Sequence, residues 1–156
     1  MLPIAKDKFE EKAISDINEY GLHIINVMED EDLPGFSYSV GLWHTYKHPE
    51  ILIIGLKNEL AMWILNEIAH RNKNGLEQLQ PQHHYDGFIE NHQCKFFTIP
   101  QHHYKNYVGW NLWLYNGDDF PLLQCVWPTT DGVFPYEEDA PDWFKKWQPV
   151  LENIKT

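Results

Sequence analysis

The chain has 156 residues, 43% of them hydrophobic, and a formal net charge of −11 from 23 acidic and 12 basic residues. The length and the apolar share suit one packed domain, which we place over residues 1–156. Nucleic acids and anionic membranes attract clustered lysine and arginine, so an acidic chain whose arginine is Arg71 alone is a poor candidate for binding either.

The first third predicts a helix, a hairpin and a central strand. Residues 6–20 place apolar side chains at helical spacing, and Gly21 ends this helix. Strands over 22–28 and 36–42 flank an acidic tip, which predicts an antiparallel hairpin. The segment 51–56 (ILIIGL) is almost wholly apolar, which predicts a central strand covered on both faces. The expected buried face of the first helix comprises Phe9, Ala13, Ile14, Ile17 and Tyr20.

The rest of the chain adds helices and strands in alternation. Asn58 is a suitable cap for a helix over 59–73, and its expected buried stripe is Leu60, Ile64, Leu65 and Ile68. The later predicted elements are strands over 87–90, 95–99 and 121–127, a helix over 101–116 and a short helix over 142–147. This order predicts an α+β domain, with a single mostly antiparallel β-sheet and about three helices packed against it.

Two segments carry a resemblance to a known family. They read GLWHTYKHPEILIIGL (41–56) and DDFPLLQCVWPTTDGVFPYEEDAP (118–141). The chain resembles the uncharacterised bacterial family catalogued as "domain of unknown function 4262", with a likeness from about Ile17 to Leu151. The family pattern has an acid where this chain has Thr129 and a tryptophan where it has Tyr136. The resemblance implies no activity, so we transfer no catalytic role from it.

Histidines His44 and His48 lie four residues apart in the first of these segments. That spacing occurs in zinc-binding HExxH helices, but no glutamate lies between these two, and Pro49 disfavours helix at His48. A looser metal site of both histidines and one carboxylate is one hypothesis. Structural hydrogen bonds, acid–base chemistry and partner contacts are the others.

Two carboxylates are further catalytic candidates. Glu50 precedes the apolar strand, and a carboxylate buried there has a raised pKa and can act as an acid or base. The alternative is a structural hydrogen bond that holds the loop at residues 39–41. Asp131 precedes Gly132, and a tight turn is sufficient reason for both residues. No nucleophile motif and no glycine-rich phosphate loop is present, so we predict no cofactor other than the metal considered above.

Compartment follows from the same sequence. The start, MLPIAKDKFEEK, lacks a signal-peptide core, and no stretch has the roughly 18 apolar residues that cross a bilayer. Cys94 and Cys125 belong to no CxxC pair, which favours buried thiols in a reducing compartment. We therefore expect a cytoplasmic protein; the sequence indicates no oligomeric state.

Two functional hypotheses emerge, beside a third in which the motifs only specify the fold. The first is a binding module for a basic protein, such as an immunity-type inhibitor of a basic toxin. It relies on the net charge and on acidic clusters at Glu29–Asp32 and Glu137–Asp142, interleaved with aromatic residues. Its aromatic candidates are Phe134, Tyr136, Trp143 and Trp147.

The second hypothesis is a small enzyme or ligand binder at the Trp43–Glu50 loop. It requires that this loop and the later Trp-Pro corner form one continuous patch with Gln124, Trp127 and Asp131. The candidate binding residues of the two hypotheses together are Tyr38, Trp43, Gln124, Trp127, Phe134 and Tyr136.

Overall fold

Six strands and six α-helices lie within residues 2–75 and 78–152, the parts of the chain that a computed structural model describes. The α-helices are α1 (Lys8–Tyr20), α2 (Leu42–Tyr46), α3 (Asn58–Lys73), α4 (Tyr104–Tyr107), α5 (Gly109–Tyr115) and α6 (Asp142–Trp147). The strands are β1 (His23–Val27), β2 (Phe36–Val40), β3 (Glu50–Ile54), β4 (His84–Ile89), β5 (His92–Thr98) and β6 (Leu122–Val126). A 3-10 turn, Gln101–His103, leads into α4.

The strands form one sheet in the order β1-β2-β3-β6-β5-β4. Every neighbouring pair is antiparallel except β3 and β6, which run parallel with Glu50 opposite Leu122 and Leu52 opposite Gln124. The predicted α+β architecture and mostly antiparallel sheet are confirmed. We call the end where β3 and β6 begin the amino end of the sheet, and the end where they finish the carboxyl end.

Helices cover both faces of the sheet. All five residues of β3 are buried, as expected for the apolar run. Ile51 and Ile53 belong to the core beneath α3, whereas Leu52 and Ile54 belong to the core on the opposite face, beneath α4 and α5. This alternation follows from the period of two along a strand.

The hairpin and the final short helix are confirmed, but three local predictions are wrong. On α1, Ala13 and Ile17 are buried while Phe9 is 77% exposed and Tyr20 is 60% exposed, because only a narrow side of this helix faces the protein. The predicted helix over 101–116 is interrupted at Val108, whose ψ of 52° leaves the helical region. Leu60 is 37% exposed and so lies outside the buried stripe of α3.

Further boundaries differ, most of all at β4, which spans His84–Ile89 where a strand over 87–90 was predicted. Asn58 is the first residue of α3, and Lys57 occupies the cap position. The loop after β2 contains the helical turn α2, which follows Gly41 and ends at Lys47 with φ of 55°. Nowhere in the described ranges does a helix combine the length and apolar character that a membrane span requires.

Candidate functional site

A fully buried carboxylate lies at the amino end of the sheet. Glu50 accepts four hydrogen bonds, and both of its oxygens are used. Oε1 accepts from the Ser39 hydroxyl at 2.7 Å and from the Leu42 N–H at 3.1 Å. Oε2 accepts from the Gly41 N–H at 2.9 Å and from the Tyr115 hydroxyl at 2.5 Å. The carboxylate thereby joins β2, α2 and α5 at the first residue of β3.

The donors around Glu50 are themselves oriented by other groups. The Ile51 N–H donates to Ser39 Oγ at 2.9 Å, and the His44 N–H donates to Tyr115 Oη at 3.1 Å. Each hydroxyl therefore directs its own proton at the carboxylate. Burial raises the pKa of Glu50, while these four hydrogen bonds oppose the rise because they favour the charged form. Burial and the adjacent Glu50 charge raise the pKa of the Tyr115 phenol, so the hydroxyl keeps the proton that it donates to Glu50.

The geometry of the loop depends on Gly41. Its φ of 115° lies in the left-handed region, and a Cβ added there would lie 2.8 Å from Ile17 Cγ1 on α1. This conformation directs two successive N–H groups, those of Gly41 and Leu42, at the carboxylate. The hydroxyl of Thr45 then ties α2 to the Gly21 carbonyl at 2.8 Å.

His48 is buried and both of its ring nitrogens have partners. Nδ1 lies 2.7 Å from the Pro49 carbonyl oxygen, and Nε2 accepts from the Leu79 N–H at 3.2 Å. This pattern requires the neutral tautomer with its proton on Nδ1. Burial also lowers the pKa of His48. Its ring therefore joins the loop to the segment after α3 and has no nitrogen free for a metal.

A surface cleft of about 720 Å³ opens above the Glu50 network. Tyr115 links the two, because it lines the cleft and its hydroxyl donates to the buried carboxylate. Indoles from α2 and α5, Trp43 and Trp113, also line the cleft. The full lining is Leu2, Pro3, Ile4, Lys6, Trp43, His44, Lys47, Trp113, Leu114, Tyr115 and Asn116.

The charged and titratable side chains that line this cleft are basic, apart from the neutral phenol of Tyr115. They are Lys6, His44 and Lys47, and the lining contains no aspartate or glutamate. The Lys47 ammonium lies 5.3 Å from the centre of the Trp43 ring, a cation–π distance. The three ion pairs among the described residues include neither lysine. Burial and the nearby Lys47 lower the pKa of His44.

The expected continuous patch is not present, because the structure separates its two parts. The Trp43–Glu50 loop lies at the amino end of the sheet, whereas Trp127 follows β6 at the carboxyl end. The Trp127 indole donates to the Ile54 carbonyl, at the last residue of β3, at 3.0 Å. Asp131 lies farther along, exposed, in a turn closed by the hydrogen bond from the Gly132 N–H to the Thr129 carbonyl.

Four other predicted binding residues have internal partners. The buried Gln124 clamps the C-terminal segment, since its Nε2 donates to the Pro149 carbonyl at 2.8 Å and its Oε1 accepts from the Leu151 N–H at 2.9 Å. The buried Tyr38 accepts from the Trp110 N–H at 3.3 Å. Phe134 and Tyr136 stack on each other with centroids 5.4 Å apart. Tyr136 also packs edge-on against Phe97 of β5.

The cleft also depends on residues that sequence reasoning did not select. Tyr115 and Trp113 lie in a segment assigned only to a helix, and Lys6 precedes α1. Lys47 lies within the predicted Trp43–Glu50 site but was not singled out there. Of these residues, only Trp113 and Tyr115 could have been identified from the sequence, since large aromatic side chains are enriched at binding sites. Among the described residues, no group of three histidine, cysteine, aspartate or glutamate side chains is arranged to hold a metal ion.

Comparison with known proteins gives a family and no activity. The family model described as "Domain of unknown function (DUF4262)" matches residues 16–141, which include β1, the whole Trp43–Glu50 loop and the Trp-Pro corner. No curated protein and no solved structure matches the chain. Because the matched region covers most of the sequence and both ends of the sheet, this chain belongs to the DUF4262 family.

Proposed function

We propose that the cleft above Glu50 binds a small organic anion with a flat apolar body. The observation that carries this proposal is the cleft's charge: in a chain of net charge −11, the cleft is lined by two lysines, Lys6 and Lys47, and by no aspartate or glutamate. Acidic proteins repel anions in general, so a local cluster of basic groups is what an anion would need for binding.

The shape and the walls of the cleft support a small ligand. Its volume of about 720 Å³ lies within the range of about 300–1,000 Å³ that is usual for small-molecule sites. Indole rings at Trp43 and Trp113 offer flat apolar surface, and the ammonium of Lys47 lies beside the first of them. A planar body against the indoles would bring an attached carboxylate or phosphate close to Lys47.

The buried network supports the proposal by making the cleft rigid. Glu50 holds the start of α2 and the end of α5 together through Leu42 and Tyr115. Trp43 and Trp113 lie on those two helices. A preorganised wall lowers the entropy cost of binding.

The imidazole of His44 gives the cleft a group suited to acid–base chemistry. Burial lowers the pKa of His44, which favours its neutral imidazole form. The lining contains no serine, threonine or cysteine. If a reaction follows binding, His44 is the base that the cleft offers.

The test compares benzoate with benzamide, which has the same shape without the charge. We expect benzoate to bind with a Kd on the order of 1 mM, as fits a fragment of its size, and benzamide to bind at least about fivefold more weakly. Tryptophan fluorescence and NMR shifts of the indole N–H groups of Trp43 and Trp113 report binding. Added salt weakens the benzoate complex selectively.

Two matched variants locate the charge. Lys47→Met keeps the aliphatic stem and weakens benzoate by about fivefold, the effect of losing one surface charge contact. Lys73→Met is the control, since Lys73 is an exposed lysine at the end of α3. Equal affinities for benzoate and benzamide, or equal effects of the two variants, would overturn the proposal.

A further inference from the structure

An exposed apolar groove lies on the other face of the sheet, between α3 and the edge strand β4. Trp63 is 51% exposed and Leu60 is 37% exposed, although both lie on a helix whose opposite side is fully buried. The groove has a volume of about 360 Å³. Its lining is Leu60, Trp63, Gly87, Phe88, Ile89 and Glu90.

One wall of the groove is formed by α3 and the other by β4. Leu60 and Trp63 are three residues apart, so they lie on one side of α3. The facing wall is β4, which has no strand beyond it in the sheet order. Gly87, with φ of 91°, interrupts β4 where its register with β5 is irregular. Large, partly exposed apolar side chains that face a groove are typical of partner-binding surfaces.

The charges at this groove are acidic. Glu90 lines it, and Glu59 lies next to Leu60 in the first turn of α3. Neither belongs to the ion pairs formed within the described residues. The nearest cation, Arg71, is already engaged: its guanidinium lies 4.2 Å from the centre of the Phe88 ring, and its Nε donates to Glu67 at 3.3 Å.

The surface at the start of α3 is also more acidic than basic. Lys57 lies there with Glu59, and the hairpin tip contributes Glu29 to the same pocket. Residues 30–32 of that tip (Asp-Glu-Asp) are exposed. Lys57 therefore shares its pocket with two carboxylates, those of Glu29 and Glu59.

We propose that this groove binds a basic segment of another protein, with one large apolar side chain against Trp63 and a lysine or arginine beside Glu90. A second copy of this chain is a poor occupant, because each copy carries a net charge of −11 and would present the same carboxylates. This proposal is independent of the anion cleft, which lies at the amino end and on different helices.

The probe is a 15-residue amphipathic peptide of lysine and leucine, titrated into the full chain by calorimetry and by NMR of the Trp63 indole. A peptide with glutamate in place of lysine and one with serine in place of leucine are the controls. We expect only the lysine–leucine peptide to bind at the Trp63 indole, with an affinity that falls as salt is raised.

Variants distinguish binding at this groove from non-specific electrostatic binding of a basic peptide to an acidic protein. Trp63→Ser is expected to weaken the lysine–leucine peptide by about tenfold, as for a central interface aromatic residue. Phe9→Ser is the control, because Phe9 is an aromatic side chain that is 77% exposed on α1 and belongs to neither proposed site. Glu90→Gln is expected to weaken binding by about threefold and to reduce its salt dependence.

Three results would overturn the proposal. Equal losses in Trp63→Ser and Phe9→Ser would mean non-specific adsorption. Equal binding of the glutamate and lysine peptides would exclude charge complementarity. A dimer in analytical ultracentrifugation that Trp63→Ser dissociates would instead identify the groove as an interface between two copies of the chain.

Discussion

The amino and carboxyl ends of the central strand pair contain similar residue types and use them differently. At the amino end, Glu50 collects donors from three elements and leaves Lys47 and His44 facing a cleft. At the carboxyl end, the Gln148 side chain forms two hydrogen bonds with the backbone of Trp127. Its Oε1 accepts from the Trp127 N–H at 3.0 Å, and its Nε2 donates to the Trp127 carbonyl at 2.9 Å. Polar groups at the carboxyl end bind the chain itself.

The difference shows what distinguishes a ligand site from a set of polar side chains that only hold the fold together. Tryptophans and polar side chains concentrate at both ends, so residue type alone does not separate them. At the carboxyl end the hydrogen-bonding groups of Gln124, Gln148 and the Trp127 indole are all used within the fold. The cleft at the amino end differs because Lys47, which belongs to none of the ion pairs among the described residues, is available to a ligand.

The largest expected effect is at the amino end. Glu50→Gln replaces one acceptor oxygen by an NH₂ group that faces two existing donors. We expect the free energy of unfolding to fall by about 3 kcal/mol, because two hydrogen bonds to a buried charge are lost and polar groups are left unpaired. Urea denaturation measures the change, with the exposed Glu138→Gln as control. A loss no larger than that of the control would mean that the carboxylate does not organise this end.

A smaller loss is expected at the carboxyl end. Gln148→Ala removes both hydrogen bonds to the Trp127 backbone and leaves those groups unpaired, at a cost of about 2 kcal/mol in unfolding free energy. Because the cleft is at the other end of the sheet, benzoate affinity should not change. A fall in affinity measured by fluorescence titration would show that the two ends are coupled and would break the comparison.

Tyr115→Phe separates the buried network from the cleft it supports. The variant removes one donor to Glu50 and keeps the ring in the cleft wall, so we expect a loss of about 1.5 kcal/mol in unfolding free energy. Benzoate affinity should change less than about twofold, since the hydroxyl is directed at Glu50 and away from a ligand. A larger loss of affinity with little change in stability would assign the hydroxyl to the ligand instead.

The smallest effect is a pH dependence that His48 contributes to the amino end. Burial lowers the pKa of His48 in the folded protein, so the unfolded chain binds its proton more readily. The stability from this residue is present above the unfolded pKa of about 6.5 and is lost as pH falls below it toward the folded pKa. His48→Gln should therefore lose less stability than the natural chain between pH 8 and pH 5.

Urea denaturation at several pH values measures this difference between the two proteins. His44 and His103, whose pKa values are also lowered by burial, are present in both proteins. Glu50 is also present in both proteins. Because its pKa is raised, its contribution to stability changes with pH in the direction opposite to that of His48. Parallel pH profiles of the variant and the natural chain would contradict the role given to His48.

The sequence predicted those elements whose pattern is contained within the element's own residues. The run ILIIGL predicted a strand buried on both faces, and β3 is that strand. The helix over 142–147 was predicted with its bounds, because Pro141 suits a helix start. The helical turn α2 was missed because five residues are too few to show a helical period, although the hydrogen bond predicted as one role of Glu50, holding residues 39–41, is present.

The candidate site was predicted in part for the same reason. Trp43, His44 and Glu50 were identified from an aromatic loop that precedes a buried strand. Tyr115, the donor that connects the carboxylate to the cleft wall, lies 65 residues further along the chain. Lys6 precedes α1 and reaches the cleft only through the fold.

By itself, then, the sequence determined the family, the α+β class, the buried central strand and the acidic character of the chain. Tertiary structure decided the direction in which β3 and β6 pair. An antiparallel pair would have brought Glu50 close to Trp127, whereas the parallel pair places them at opposite ends. Hydrophobic periodicity reports which face of an element is buried, and it contains no information about the neighbour or its direction.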